Sequence, residues 1–429
     1  LTGPETAWWT SVARAEPDDA PCPVGGVVIS GGVPVIAGPD GPGTGGSALL
    51  AVVIRADRWR LAQCRPGDRV RLLPVTPEQA NAATAAREGL LAGLAGTGTG
   101  TPETAATPHR LASYGRAPGT PPATLRESAG DERRPALVIR RAGDQHLLVQ
   151  TGAEPGELAA RLRVHLLGTA LADLPGVTEV VPGPHALLVT VAEPALSLAT
   201  LAGLAVQAWH GLPDPLDAEL PAREVSLPIA FDDPAVADAV RRYQADVRAA
   251  TPWCPDNVEY LRSCNGLADR DDVFRAIAAT TWLVLAFAGA GLGTPIAAAL
   301  DARRPLTAPR YDPARTWTPA GAVGLSGNRL RIQGADGPGD TQLVGRTVPV
   351  WRDLRRPIGA PPEPDPSPNG PPWLLRPFDL IRFTPVSPAD LVERSAALAA
   401  GAGLAGTPTV LRLRDLLTTP TSSAAPLPG

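Results

Sequence analysis

Residues 95–135 constrain the fold most. They carry GTGTGTPETAATP and GRAPGTPPATLRESAGDERR, rich in Gly, Thr, Pro and Ala. Such a stretch holds too little apolar surface to offset the entropy of ordering it. It predicts a flexible linker, so the apolar segments on either side must build their cores separately. The chain has 429 residues, enough for roughly two to four domains.

Upstream, residues 1–94 read as a β region. Val24–Ile29, Val33–Ile36 and Ala48–Ile54 are short apolar runs. Arg69–Val75 follows the turn Pro66-Gly67-Asp68 and opens with the alternation of a half-buried strand. Glu78–Leu94 is helical in composition. Thr76 before Pro77, with Gln79 three residues on, provides a capped start.

Downstream, residues 136–220 run strand, strand, helix, strand, strand, helix, which predicts a small α/β domain. In Pro155–Ala172, Leu158, Leu162, His165 and Leu166 form a mostly apolar stripe. Residues 221–395 mix the helices Ala235–Ala250 and Asp271–Ala279 with short strands at Ala322–Ser326, Leu330–Gln333, Gln342–Gly345 and Ile381–Phe383. That spacing predicts a barrel or sandwich. Pro361–Pro372 is a proline-rich loop, and residues 396–429 form a C-terminal tail containing the apolar run Thr409–Leu417. The fold class is α+β, mostly β. The run from Ala276 to Leu300 is uncharged and long enough to span a bilayer. Gly289, Gly291, Gly293 and Pro295 crowd its second half, so two elements joined by a glycine turn fit better than one helix.

Composition narrows the chemistry. All 39 basic residues are arginine, and Lys and Met are absent. Without Lys there is no P-loop lysine, no Schiff-base nucleophile and no attachment point for biotin. Without Met, residue 1 is expected not to be the first residue encoded. The Arg, Ala, Gly and Pro content resembles that of a GC-rich bacterium. The net charge of −4 has no basic block behind it, which argues against a nucleic-acid partner. Cys22, Cys64, Cys254 and Cys264 form no C-x-x-C and read as thiols in a reducing, cytoplasmic setting. The five histidines never fall at helical ligand spacing, so no metal site is expected.

Several ordered segments together resemble the carboxyltransferase region of urea carboxylase, in the wider allophanate hydrolase subunit 1 and subunit 2 group. They are GVPVIAGPDGPGTGGS with WRLAQCRPGDRVRLLPV (32–47, 59–75), AGDQHLLVQTG with RLRVHLLG (142–152, 161–168) and TPWCPDNVEYLRSCNGL (251–267). RYDPARTWTPAGAVGLSGN (310–328), GPGDTQLVGRTVPVW (337–351) and PWLLRPFDLIRFTPVS (372–387) continue the series. The resemblance implies a partial subunit-2-like β region over 1–94, a small α/β domain over 136–220 and a cyclophilin-like β-barrel over 221–395. In that family the module moves a carboxyl group from carboxybiotin to a urea or guanidine nitrogen.

The departures from the family pattern shape the functional reading. The resemblance places an acidic residue and a tyrosine after the strand Trp282-Leu283-Val284-Leu285, where this chain has Gly289 and Gly291. A polar loop of the family is shortened to SVARAEPDD, leaving Asp19 as its acidic match. The family's KYNPARTW reads RYDPARTW here, so Lys becomes Arg310 and Asn becomes Asp312. Asn328, Arg329 and Arg331 add positive charge beside the same barrel. Arg310, Asp312, Arg315 and His165 are therefore the candidate catalytic residues, and Arg310 and Asp312 could instead be a structural pair. Tyr311, Asn328, Arg329, Asp19 and Asn257 are candidates for substrate binding, although Asn257 also reads as a helix N-cap. His165 could act as an acid or base if it titrates near neutrality, or simply pack against a strand.

These features predict a small-molecule enzyme that reuses the scaffold without biotin. It would act at a carbonyl or carboxylate group through an Arg-lined pocket, in cyclisation, decarboxylation or a related step of specialised metabolism. A second expectation is a biotin-dependent carboxyltransferase component acting on urea, guanidine or an amide, with biotin supplied by a separate carrier. A third is a non-enzymatic regulator of a sensor kinase. A homo-oligomer, or a partner chain completing the subunit-2-like region, fits any of these, and no membrane partner is expected.

Overall fold

The computed structural model describes residues 21–30, 33–39, 49–95, 123–131, 134–152, 158–192, 196–288, 293–300, 305–351, 374–399, 404 and 406–414. Asp19, Gly289, Gly291 and the loop 361–372 lie outside them. Three antiparallel strands, β1 (Gly26–Ser30), β2 (Val33–Ile36) and β3 (Leu49–Val52), form a sheet in the order β2-β1-β3. After a one-turn helix at Arg58–Leu61 comes α1 (Pro77–Leu94). The Gln79 N–H donates to the Thr76 hydroxyl, and the Thr76 N–H donates to the Gln79 side chain, the reciprocal cap expected from the sequence. Arg69–Val75 forms no strand and is largely exposed. Its alternation meets no sheet edge, and an extended segment without a paired neighbour is not a stable strand.

The second layer is a five-stranded antiparallel sheet, ordered β4-β5-β6-β8-β7. Its strands are β4 (Thr124–Ser128), β5 (Leu137–Ala142), β6 (His146–Thr151), β7 (Val177–Pro182) and β8 (Ala186–Val191). Strand β4 lies inside the expected linker and corrects that boundary. The edge of β5 satisfies its backbone and Leu125 packs on the core. Docking on a ready-made edge orders a segment that composition alone would leave loose. Helices α2 (Leu158–Ala172) and α3 (Leu198–Gly211) cover one face of the sheet. On the other face Leu49 and Val52 of β3 pack with Ala142, Leu148 and Leu188.

The third layer is a closed barrel. It uses β9 (Glu219–Phe231), β10 (Trp282–Ala288), β11 (Thr294–Ala299), β13 (Ala322–Ser326), β14 (Arg329–Ile332), β16 (Gln342–Thr347) and β17 (Leu380–Pro385). A separate ribbon pairs β12 (Arg315–Thr318) with β15 (Gly337–Gly339). The barrel order is β16-β13-β14-β11-β10-β17-β9, and β16 returns to pair with β9. Helices α4 (Pro234–Asp246), α5 (Asn257–Cys264), α6 (Arg270–Ala279) and α7 (Pro388–Ala399) pack around it. The uncharged run 276–300 resolves into the end of α6 and the antiparallel pair β10–β11, as its glycines require. Among the described residues no helix is long and apolar enough to cross a membrane.

The expected tail at 396–429 begins too early. Helix α7 extends to Ala399, and β18 (Gly406–Arg412) pairs with β9 along residues 219–225. Strand β9 alternates accordingly. Leu220 and Ala222 face the α/β layer, whereas Val225, Leu227 and Ile229 enter the barrel core. Helix α2 is buried on two sides. Val164, Leu167 and Leu171 meet its own sheet, while Leu158, Ala159 and Leu162 meet Leu283, Leu285 and Leu380 on the barrel's outer wall.

Barrel closure leaves no room at Gly345, where an added Cβ would lie 2.5 Å from the Ala230 carbonyl oxygen. Gly345→Ala must therefore push β16 away from β9, at a cost of about 1–3 kcal/mol for overpacking. Urea unfolding should show a lowered midpoint, and an unchanged midpoint would mean that closure tolerates the methyl group.

Candidate functional site

The first cluster sits where α5 meets the barrel wall. Asp256 caps α5, its carboxylate accepting from Val258 N–H and Glu259 N–H at 3.0 Å each. Asn257 is thus the first helical residue rather than the cap expected for it, because its own side chain is committed inward. Asn257 Nδ2 donates to the Tyr311 hydroxyl at 2.6 Å, the hydroxyl donates to Asn257 Oδ1 at 3.0 Å, and the same Oδ1 accepts from Leu343 N–H at 2.9 Å. The Arg315 guanidinium lies 4.2 Å from the Tyr311 ring centroid. Its Nε donates to Thr318 Oγ1 at 3.1 Å and its Nη1 to the Thr341 carbonyl at 2.7 Å. Tyr243 and Trp253 pack on the same ring.

All three central groups are interior, with Asn257 4%, Tyr311 3% and Arg315 1% exposed. Burial pushes the Tyr311 hydroxyl up to about 12, against the opposing pull of Arg315 and of the Asn257 hydrogen bond. The cluster therefore braces β12, β16 and α5 together. The structure brings the candidates Asn257, Tyr311 and Arg315 together, but in a closed knot.

The neighbouring candidates line a more open edge. Arg310 does not pair with Asp312. Its Nη1 faces Asp340 Oδ2 at 3.7 Å, and Arg331 Nη1 faces the other oxygen at 3.5 Å. The Asp312 carboxylate is exposed, while its backbone carbonyl accepts from Arg248 Nη1 at 3.0 Å. Arg329 shares the face of β14 that carries Arg331, because strand side chains alternate. Asn328 forms the two-residue β13–β14 turn with Gly327, whose φ of +56° suits the first turn position.

A third group lies at the seam between α2 and the barrel. His165 meets the Phe378 ring edge-on at 4.9 Å. Phe378 lies in the turn that precedes β17. Burial, aided by the nearby Arg161, lowers the His165 imidazole to about 4, so it is neutral near pH 7. Arg161, one turn earlier, is not singled out by the sequence pattern. It is 1% exposed, its Nε donates to the Leu285 carbonyl, and its guanidinium covers the Phe378 ring at 4.9 Å. A signal is present: position 161 borders the stripe through 158, 162 and 165. A charged side chain there normally reads as the solvated edge of a helix, and only docking of the barrel buries it.

The N-terminal layer joins the sheet through charge. Arg55 N–H donates to Asp144 Oδ2 at 3.0 Å, and Arg58 Nη2 meets His146 Nε2 at 3.1 Å. Burial and then Arg58 lower His146 to about 4. Among the described residues no group of three His, Cys, Asp or Glu side chains could hold a metal ion.

Both imidazoles have an ordinary value of 6.5 and fall to about 4 in the fold. The unfolded chain therefore binds more protons between these values, and stability drops as pH falls from 6.5 toward 4. Each contributes a slope of up to about 1.4 kcal/mol per pH unit in that window. Denaturant midpoints measured from pH 7 to 4 should fall less steeply in His146→Gln than in the parent. Equal slopes would remove His146 from the titration. Tyr311→Phe removes two hydrogen bonds of the Asn257 amide, which keeps those to the Trp253 carbonyl and Leu343 N–H, and should cost about 1–3 kcal/mol. Chemical unfolding of that variant tests the brace.

Comparison with known proteins places this architecture. The family described as carboxyltransferase domain, subdomain C and D, matches residues 137–360, and subdomain A and B matches residues 1–74. Urea amidolyase of Saccharomyces cerevisiae is 30% identical over 401 residues, covering 91% of this chain and 21% of that protein. The chain thus spans about a fifth of that relative's length. A 5-oxoprolinase subunit of Escherichia coli is 27% identical over 231 residues, covering 54% of this chain and 88% of its own. The crystal structure of Kluyveromyces lactis urea carboxylase superposes with a TM-score of 0.81 at 26% identity, covering 94% of this chain and 34% of that one. The seven-stranded barrel, the small α/β domain and the N-terminal β region are accordingly those of a diverged urea carboxylase carboxyltransferase region, and the chain belongs to the carboxyltransferase domain family.

Proposed function

We propose that this chain is a small-molecule enzyme that uses the carboxyltransferase scaffold without biotin. It acts at a carbonyl or carboxylate group, in cyclisation, decarboxylation or a related step of specialised metabolism. The observation that carries this reading is the convergence of Arg310 and Arg331 on Asp340 at the partly exposed barrel edge. A substrate carboxylate or a developing oxyanion that takes the place of Asp340 meets two guanidinium groups there. Positions 289 and 291 are glycine and offer neither a carboxylate nor a phenol to a urea or guanidine nitrogen. The names urea amidolyase and 5-oxoprolinase denote enzymes of small carbonyl compounds, which supports the substrate class.

A second reading, a carboxyltransferase component served by separate biotin proteins, is favoured by the similarity to urea carboxylase. The chain has no lysine for a biotin amide, so the biotin would be attached outside these 429 residues.

The test incubates the protein with a carboxybiotin-bearing carrier and urea, guanidine or simple amides. The expected result is no carboxyl transfer above background. Transfer that depends on this chain would overturn the biotin-free reading and establish the second one.

A further inference from the structure

We infer that the seam between α2 and β10 is a binding site for a small planar oxyanion, a carboxylate or carbonate group, held by Nη1 and Nη2 of Arg161. This deepens the proposed function and rests on it for the identity of the substrate, although binding can be measured without turnover.

Three observations carry the inference. The first is an uncompensated charge. Arg161 is 1% exposed, and neither Nη1 nor Nη2 has a hydrogen-bond partner among the described residues. A buried cation left unpaired is strongly destabilising, whereas one met by an anion with good geometry is not. Burial alone lowers the guanidinium to about 9, with no opposing pull from an acidic group among the described residues. The second is orientation. The register of β10 against β11 shifts between Val284 and Ala286, which makes Leu285 a bulge. A bulged residue stands outside the ladder, and the Leu285 carbonyl accepts from Arg161 Nε instead. That bond and the Phe378 ring fix the guanidinium plane. The two Nη groups are left as a fork, the arrangement that pairs with a two-oxygen acceptor.

The third is the wall on which the fork lies. Cross-strand register sets Leu380, Leu283, Ala298 and Arg329 in one row on the outer face of the barrel. Leu283 and Leu380 meet Leu162 of α2 there. Arg329 is two strands from β10, about 10 Å away at the usual strand spacing. The fork and the arginine-bearing face of β14 thus share one wall of the barrel. Phe378 covers one side of the fork, and the two coplanar Nη groups match the two oxygens of a planar carboxylate. Entry here requires α2 and β10 to part.

The experiment is thermal unfolding of the full chain with increasing formate, acetate or bicarbonate, against chloride at matched ionic strength. The parent should show a saturable rise in Tm. Arg161→Met should fold and lose the rise, because a buried cation replaced by an apolar chain of similar volume is tolerated. Arg161→Lys should need at least a tenfold higher anion concentration, since a point charge lacks the fork. Arg394→Met, on the exposed face of α7, should respond like the parent. If Arg161→Met does not fold, Arg161→Lys and exchange broadening of ¹³C-formate read the same site. No saturable rise in the parent overturns the proposal, as does a rise that survives Arg161→Met. Carboxyl transfer from carboxybiotin would refute the biotin-free reading while leaving this result standing.

Discussion

Strand β9 is the constraint on which the barrel depends. Its thirteen residues pair with β17 along one edge, and β18 and β16 share the other. Among the described strands no other could close the barrel, because only β9 is long enough to serve the α/β side with its first half and the barrel core with its second. The price of that closure is steric: Gly345 must approach the β9 backbone more closely than any side chain allows. Closure in turn removes the open edges that would otherwise template aggregation.

Helix α2 links the layers. It is buried against its own sheet on one side and against the outer wall of β10 and β17 on the other. A helix in that position needs apolar residues nearly all round, and α2 has them except at Arg161, Arg163, His165 and Thr169. Arg161 and His165 lie together at the Phe378 ring. The chemistry-bearing groups thus fall at the two boundaries of the barrel, with α2 on one and α5 with the 310–341 region on the other. They differ in how far their polar groups are satisfied. The Asn257–Tyr311–Arg315 knot closes most of its hydrogen bonds internally, as a structural brace should. The Arg161 fork does not.

Much of the secondary structure was legible locally. The capped start of α1 and the turn-separated strands from Ala322 to Gly345 depend on neighbours a few residues apart, and so does the glycine break after β10. The errors came from segments whose state is set by a distant partner. Arg69–Val75 alternates but has no edge to join, whereas Thr124–Ser128 and Gly406–Arg412 look loose in composition and become strands because β5 and β9 offer edges.

By itself, the sequence determined the order of the layers, the family pattern, the absence of lysine chemistry and the clustering of arginine near residues 310–331. Only the tertiary structure decided which arginines are interior. Arg310 and Arg315 are five positions apart, yet one meets Asp340 at an edge and the other is enclosed against Tyr311. Arg161 shows the reason most clearly. Its charge is legible from its letter, but its desolvation arises from a barrel wall more than a hundred residues away in the chain, and burial rather than residue type sets what a guanidinium group can do.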